Sequence, residues 1–292
     1  MPSPAFRIGG RVFATPPKTR NHGRGAVRNE TDGTLLCGAP VSWCAGVRRE
    51  EGRAVIASAL GAVLAGLLVA PALRGLVVRY AVPEDEPWCL ACPSCARELR
   101  GLPPTGRCPG CRTGLGPGPW RVEAVTAAAA AAALAAAHPA DALLLLWLAG
   151  PGVVLGFTDA RVHRLPYPLT WTLAAGLAVL LTAVQLAEGA PGALPRCLLV
   201  ALAAAVLFEV PVQLGLVGAG DTVLALGLGA LLGRYGWSAA FAGLACSVLL
   251  AGLWSVGVLL TALVRRRPVR GREVPLGPFL LLGTLLAVLG HS

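Results

Sequence analysis

Residues 54–73 run for twenty positions without a charged side chain, and similar apolar stretches recur as far as Gly290. Twenty helical residues at 1.5 Å each cover the ~30 Å hydrocarbon core of a bilayer. Repetition of such runs excludes a single anchored helix. Composition excludes a soluble globule and a disordered chain: 55% of the 292 residues are hydrophobic and 14% charged, where ~25% charged is usual, and mean hydropathy is +0.67. The expected fold is an all-α polytopic membrane protein.

The runs place spans at residues 54–78, 122–137, 142–158, 169–187, 197–216, 222–233, 238–264 and 274–290, about eight in all. Glu209 and Pro211 are expected to kink the fifth or end it early. The expected organisation has four parts. Residues 1–52 form a disordered tail or a mis-assigned start, because they are polar and lack the apolar core of a signal peptide. Residues 53–78 form the first transmembrane helix, 79–121 a polar loop, and 122–292 a seven-helix membrane domain.

The net charge is +10 and the pI near 9.7. In a soluble chain this would suggest nucleic acid; among membrane spans it marks loops retained in the cytoplasm. Placing the 79–121 loop inside puts Arg79, Arg97, Arg100, Arg107, Arg112 and Arg121 there. Arg161 and Arg164 then fall on the same side, as does the run from Arg265 to Arg272, while only Arg196 and Arg234 lie outside. The basic tail is the misfit. The lipid bilayer, not nucleic acid, is the expected partner.

Nine cysteines are present. Cys92, Cys95, Cys108 and Cys111 form two CxxC pairs, a spacing that suits tetrahedral thiolate coordination of a structural zinc in a reducing compartment. Cys89 makes a further CxxC with Cys92, so a second ligand set is open. Cys197 and Cys246 lie in apolar spans as packing residues; Cys37 and Cys44 have no assignment.

Asp159, Glu209 and Asp221 stand at or near membrane depth, where an unpaired Asp costs ~2.5–3.5 kcal/mol even on an insertion scale. Asp159 ends the third span and Asp221 opens the sixth, so both emerge on one face. Two carboxyls within reach of one water form an acid–base pair: one takes the water's proton while the other polarises a scissile carbonyl. An aspartate at a span end can also do no more than touch water. Gly218 and Gly220, in the frame Gly218-Ala219-Gly220-Asp221, permit close backbone approach, so an extended substrate could lie there. Glu209 reads as structural, Glu123 as an interface anchor, and His163 as a headgroup-level residue between arginines.

The ordered motifs resemble those of type IV prepilin peptidases, the GxGD aspartic proteases of bacterial inner membranes. The resemblance covers most of the chain from Ala54 to Gly290. It rests on the two CxxC pairs, Val122-Glu123-Ala124-Val125-Thr126, Asp159 with Leu165-Pro166, Gly218 to Asp221, and Pro275-Leu276-Gly277-Pro278-Phe279-Leu280. It implies a multi-pass protein of the bacterial cytoplasmic membrane that cleaves the basic leader from prepilins or pseudopilins at the cytoplasmic face. Asp159 and Asp221 would be the catalytic pair and the four cysteines the zinc ligands. It also implies possible N-methylation of the product with S-adenosylmethionine. Val223 stands where the family carries Lys, Tyr167 where an acid or amide is common, and the CxxC pairs lie closer together. Glu84, Asp85 and Glu86 are candidates to meet a basic leader. The alternatives are a degenerate, non-catalytic scaffold of a pilus or secretion system, a presenilin-like intramembrane protease, and a proton-relay transporter.

Overall fold

Each apolar run becomes a helix. The computed structural model describes residues 41–83, 87–99, 101–136, 138–215, 218–265 and 275–291, with side chains from Leu60 onward except Ala62. The tail before Val41, Glu84, Asp85, Glu86, Arg100, Arg266, Arg267, Arg270, Arg272 and the Cys37 and Cys44 side chains lie outside that description. The chain divides at Val47–Arg48 into two units, and the helix packing and both candidate sites belong to the unit from Arg48 on.

Among the described residues there are eight α-helices and no strands. They are α1 (Val41–Tyr80), α2 (Arg121–Leu134), α3 (Pro139–Val162), α4 (Tyr167–Ala187), α5 (Leu194–Gln213), α6 (Ala219–Tyr235), α7 (Trp237–Val264) and α8 (Leu276–His291). Five segments are long and apolar enough to cross a membrane: Val63–Tyr80 of α1, α3, α4, Pro191–Gln213 containing α5, and α7. The protein is therefore a multi-pass membrane protein. The other three helices, α2, α6 and α8, have 14, 17 and 16 residues. At about 1.5 Å per residue, α2 is about 21 Å long and falls short of the hydrocarbon thickness.

Helix ends depart from the apolar runs for local reasons. Helix α1 extends back to Val41 because residues 48–51, Arg-Arg-Glu-Glu, favour helix although they are polar. Helix α2 stops before His138-Pro139, and Pro139 opens α3 in the first-turn position that tolerates a missing N–H. Pro211 does not end α5, which runs on to Gln213.

Helix α6 is the core element. Leu224, Leu228 and Leu231 are buried in one cluster with Leu144, Leu173 and Leu280 of α3, α4 and α8. Helices α5 and α7 turn Leu198, Leu202, Val206, Phe241, Leu249 and Leu253 outward. Surface of that kind suits lipid tails and not water.

Candidate functional site

Asp159 lies in the last turn of α3, where the His163 N–H donates to its carbonyl at 2.8 Å and ends the helix. His163 caps it in the left-handed region, φ 52°, and is exposed. The chain then passes Leu165-Pro166 into α4. Leu165 is buried against Gly220 at the head of α6: a methyl on Gly220 would lie 2.7 Å from Leu165 Cβ and 2.8 Å from its carbonyl oxygen. The bare glycine thus brings Asp221, in the first turn of α6, up to the end of α3. The Asp221 N–H donates to the Gly218 carbonyl at 3.0 Å.

Both aspartates are buried, 4% and 7% exposed, and α8 packs on the helices that carry them. Asp159 Oδ2 accepts the backbone N–H of Gly277, in the first turn of α8, at 2.8 Å. Asp221 Oδ1 is buried with no hydrogen-bond partner among the described residues, as is Thr158 Oγ1 beside Asp159. Orphaned buried oxygens are rare, and each carries a desolvation cost that a polar partner offsets.

The two glycines of the frame differ. At Gly220 the close approach is made by Leu165, which fills the space a Cβ would take. Gly218 is exposed, and a methyl there would sit 3.7 Å from Asp221 Oδ2, an ordinary contact. Gly220→Ala should therefore destabilise the protein by about 1–3 kcal/mol through overpacking, and Gly218→Ala should be near neutral. Thermal unfolding in detergent checks both.

Glu209 is hydrogen-bonded at both carboxylate oxygens. Gln213 donates to its Oε1 at 2.6 Å and the Thr222 hydroxyl to its Oε2 at 3.2 Å, tying α5 to the head of α6. Val223 is buried, and Tyr167 is exposed.

The four cysteines Cys92, Cys95, Cys108 and Cys111 come together, their sulfurs all within 4.8 Å of one another, and form a cluster that can hold a metal ion. Two Sγ–Sγ distances, Cys92–Cys111 and Cys95–Cys108, are 3.6 Å. A tetrahedron with ~2.3 Å metal–sulfur bonds has edges of about 3.8 Å. Cys89 stays outside, donating to the Ala91 carbonyl at 3.2 Å, so the second ligand set is not formed.

The two knuckles repeat the same backbone. Cys92 N–H donates to the Arg97 carbonyl and Ala96 N–H to the Cys92 carbonyl, both at 2.8 Å; Cys108, Thr113 and Arg112 repeat this at 2.8 and 3.0 Å. Ala96 and Arg112 share a left-handed φ of 56° and 61°. Bridges Ala91–Glu98 and Arg107–Gly114 close the two turns. The N–H groups of Cys111 and Gly110 hold the Cys108 thiol below its ordinary value, and the Thr113 hydroxyl and N–H hold Cys111 down to about 6. Those two shifts favour thiolates, the form that binds metal, whereas at Cys95 the lowering by the Arg97 N–H is outweighed by desolvation and the neighbouring sulfurs, which push it up to about 11.

A buried ion pair that sequence reading missed docks this loop on the helices. Arg74 of α1 is 0% exposed and Glu123 of α2 is 2% exposed. The guanidinium meets the carboxylate as a fork, Nε to Oε1 at 3.0 Å and Nη2 to Oε2 at 2.5 Å. It also donates to the Pro117 carbonyl at 2.9 Å and to Gly118 at 3.4 Å. Glu123 is thus a buried ion-pair partner and not an interface anchor. The signal was a lone Arg inside an apolar run: such a charge calls for a partner. Val77 and Tyr80 of α1, Val122 of α2, and Val153, Val154 and Phe157 of α3 pack together, so the cysteine loop sits at the Asp159 end of α3. At the other end of α3, Arg234 pairs with Asp141 at 3.1 Å and Glu188 at 2.8 Å.

Comparison with family models, with curated proteins and with solved structures finds no match for this chain.

Proposed function

We propose that the protein is a membrane aspartic endopeptidase that removes the leader from type IV prepilins or pseudopilins. The observation that carries the reading is the meeting of three motifs, distant in sequence, around one pair of buried carboxyls. Leu165 seats the head of α6, Asp221 Oδ1 has no partner among the described residues, and Gly277 of the final motif bonds Asp159. Two carboxyls so placed suit general acid–base attack by water. One takes a proton from the water as its oxygen adds to the scissile carbonyl. The other, as the acid, donates to the carbonyl oxygen; as the C–N bond breaks it retakes that proton, while the first carboxyl passes the proton it took from water to the leaving amine. No covalent intermediate is needed.

On this reading α2, α6 and α8 complete an eight-span bundle in the bacterial inner membrane, the short α2 crossing where the bilayer thins around it, with the cysteine loop and the aspartate pair at the cytoplasmic face. The arginine distribution supports that orientation. The cysteine cluster holds a structural zinc, since four thiolates leave no open position for water. Co-expression with a candidate prepilin, followed by the mass of the pilin N-terminus, tests the activity. Cleavage after the leader glycine is expected, and an additional methyl group would report methyl transfer from S-adenosylmethionine. An unprocessed pilin in the presence of folded protein would refute the assignment.

The metal has its own test. One zinc per chain is expected by elemental analysis, and Cys108→Ser should lose it and lower the unfolding temperature. Equal zinc content and stability in the variant would contradict the structural-metal reading.

A further inference from the structure

We propose that Gly277 is a positioning residue: its backbone N–H, at the head of α8, fixes the Asp159 carboxylate for reaction. The inference rests on the peptidase reading. The first N–H groups of a helix lack intrahelical acceptors and favour negative charge. Pro275 and Pro278 have no N–H, so Leu276 and Gly277 are the donors available at this helix start. Gly277 uses its own on Asp159 Oδ2 at 2.8 Å, in a buried bond between residues 118 apart. A methyl on Gly277 would lie 3.0 Å from that oxygen and 3.4 Å from Asp159 Cβ and Cγ. Only a residue without Cβ lets α8 come this close without moving the carboxyl. A carboxyl pinned through one oxygen has its orientation fixed before substrate arrives, which is where positioning adds to rate. Helix α8 packs on both α3 and α6, so the same element braces the two sides of the pair. This gives the Pro-Leu-Gly-Pro segment a physical role.

Two measurements on the full-length protein in detergent test the proposal. Hydrogen exchange at the first turn of α8 should be slow in wild type and in D159N, whose side-chain oxygen still accepts, and at least tenfold faster in D159A. With a prepilin precursor peptide, Gly277→Ala should lower kcat about 10- to 100-fold with KM within about twofold, and shift the pH–rate profile. Unchanged exchange in D159A would overturn the proposal even if Gly277→Ala is not recovered folded. Wild-type cleavage matched by Gly277→Ala in kcat and pH profile would overturn the positioning role alone. A wild type that cuts no precursor would remove the peptidase reading and the positioning role with it.

Discussion

Asp159→Asn and Asp221→Asn should each lower prepilin cleavage by about 10²–10⁴-fold, the range that a positioned acid or base contributes. Both variants should insert and unfold like wild type, and the reason differs at the two sites. The amide side chain of D159N would keep an oxygen for the Gly277 N–H, so the tie between α3 and α8 survives. At Asp221, Oδ1 is buried without a partner among the described residues, so the change removes no hydrogen bond seen at that oxygen. Loss of activity with retained stability separates chemistry from folding. Activity within tenfold of wild type in both single variants would remove the pair from the mechanism. The measurement is a kcat/KM series on purified protein with unfolding curves run beside it.

The largest stability effect is expected at Arg74. Arg74→Met should cost about 3–5 kcal/mol, because it strands the buried Glu123 carboxylate without a counter-charge. The double change Arg74→Met with Glu123→Leu should recover most of that loss, since a well-packed apolar pair often matches a buried ion pair. Recovery should stay incomplete: Pro117 and Gly118 also lose their donor. Both variants should therefore cleave more readily under protease within residues 101–120. Equal stability of the single and double variants would contradict the stranding of the Glu123 carboxylate.

Much of the architecture was legible because a bilayer leaves few solutions: backbone polar groups must be satisfied internally, so apolar runs must be helices. The two aspartates and four cysteines could be picked out because each carries a cost or a spacing that needs explaining. The residues that bring them together could be named as motif positions but not given their packing partners. Gly220 and Gly277 matter through what their absent Cβ would strike, and a sequence does not say what lies opposite a glycine. Arg74 was visible as an odd charge, yet its partner Glu123 is 49 positions away on another helix. Helix ends moved where propensity or a proline, and not hydropathy, set the boundary, as at Val41 and Leu134.

The convergence of Asp159 and Asp221 can be measured without any substrate. In a background where cysteines other than the four metal ligands are replaced, Asp159→Cys and Asp221→Cys are combined and treated in membranes with a short bifunctional thiol reagent. Asp141→Cys with Asp221→Cys is the control, since Asp141 stands about 27 Å along α3 from Asp159. Cross-linking of the first pair and none of the second is the expected result. No cross-link between positions 159 and 221, or equal cross-linking of both pairs, would contradict the account.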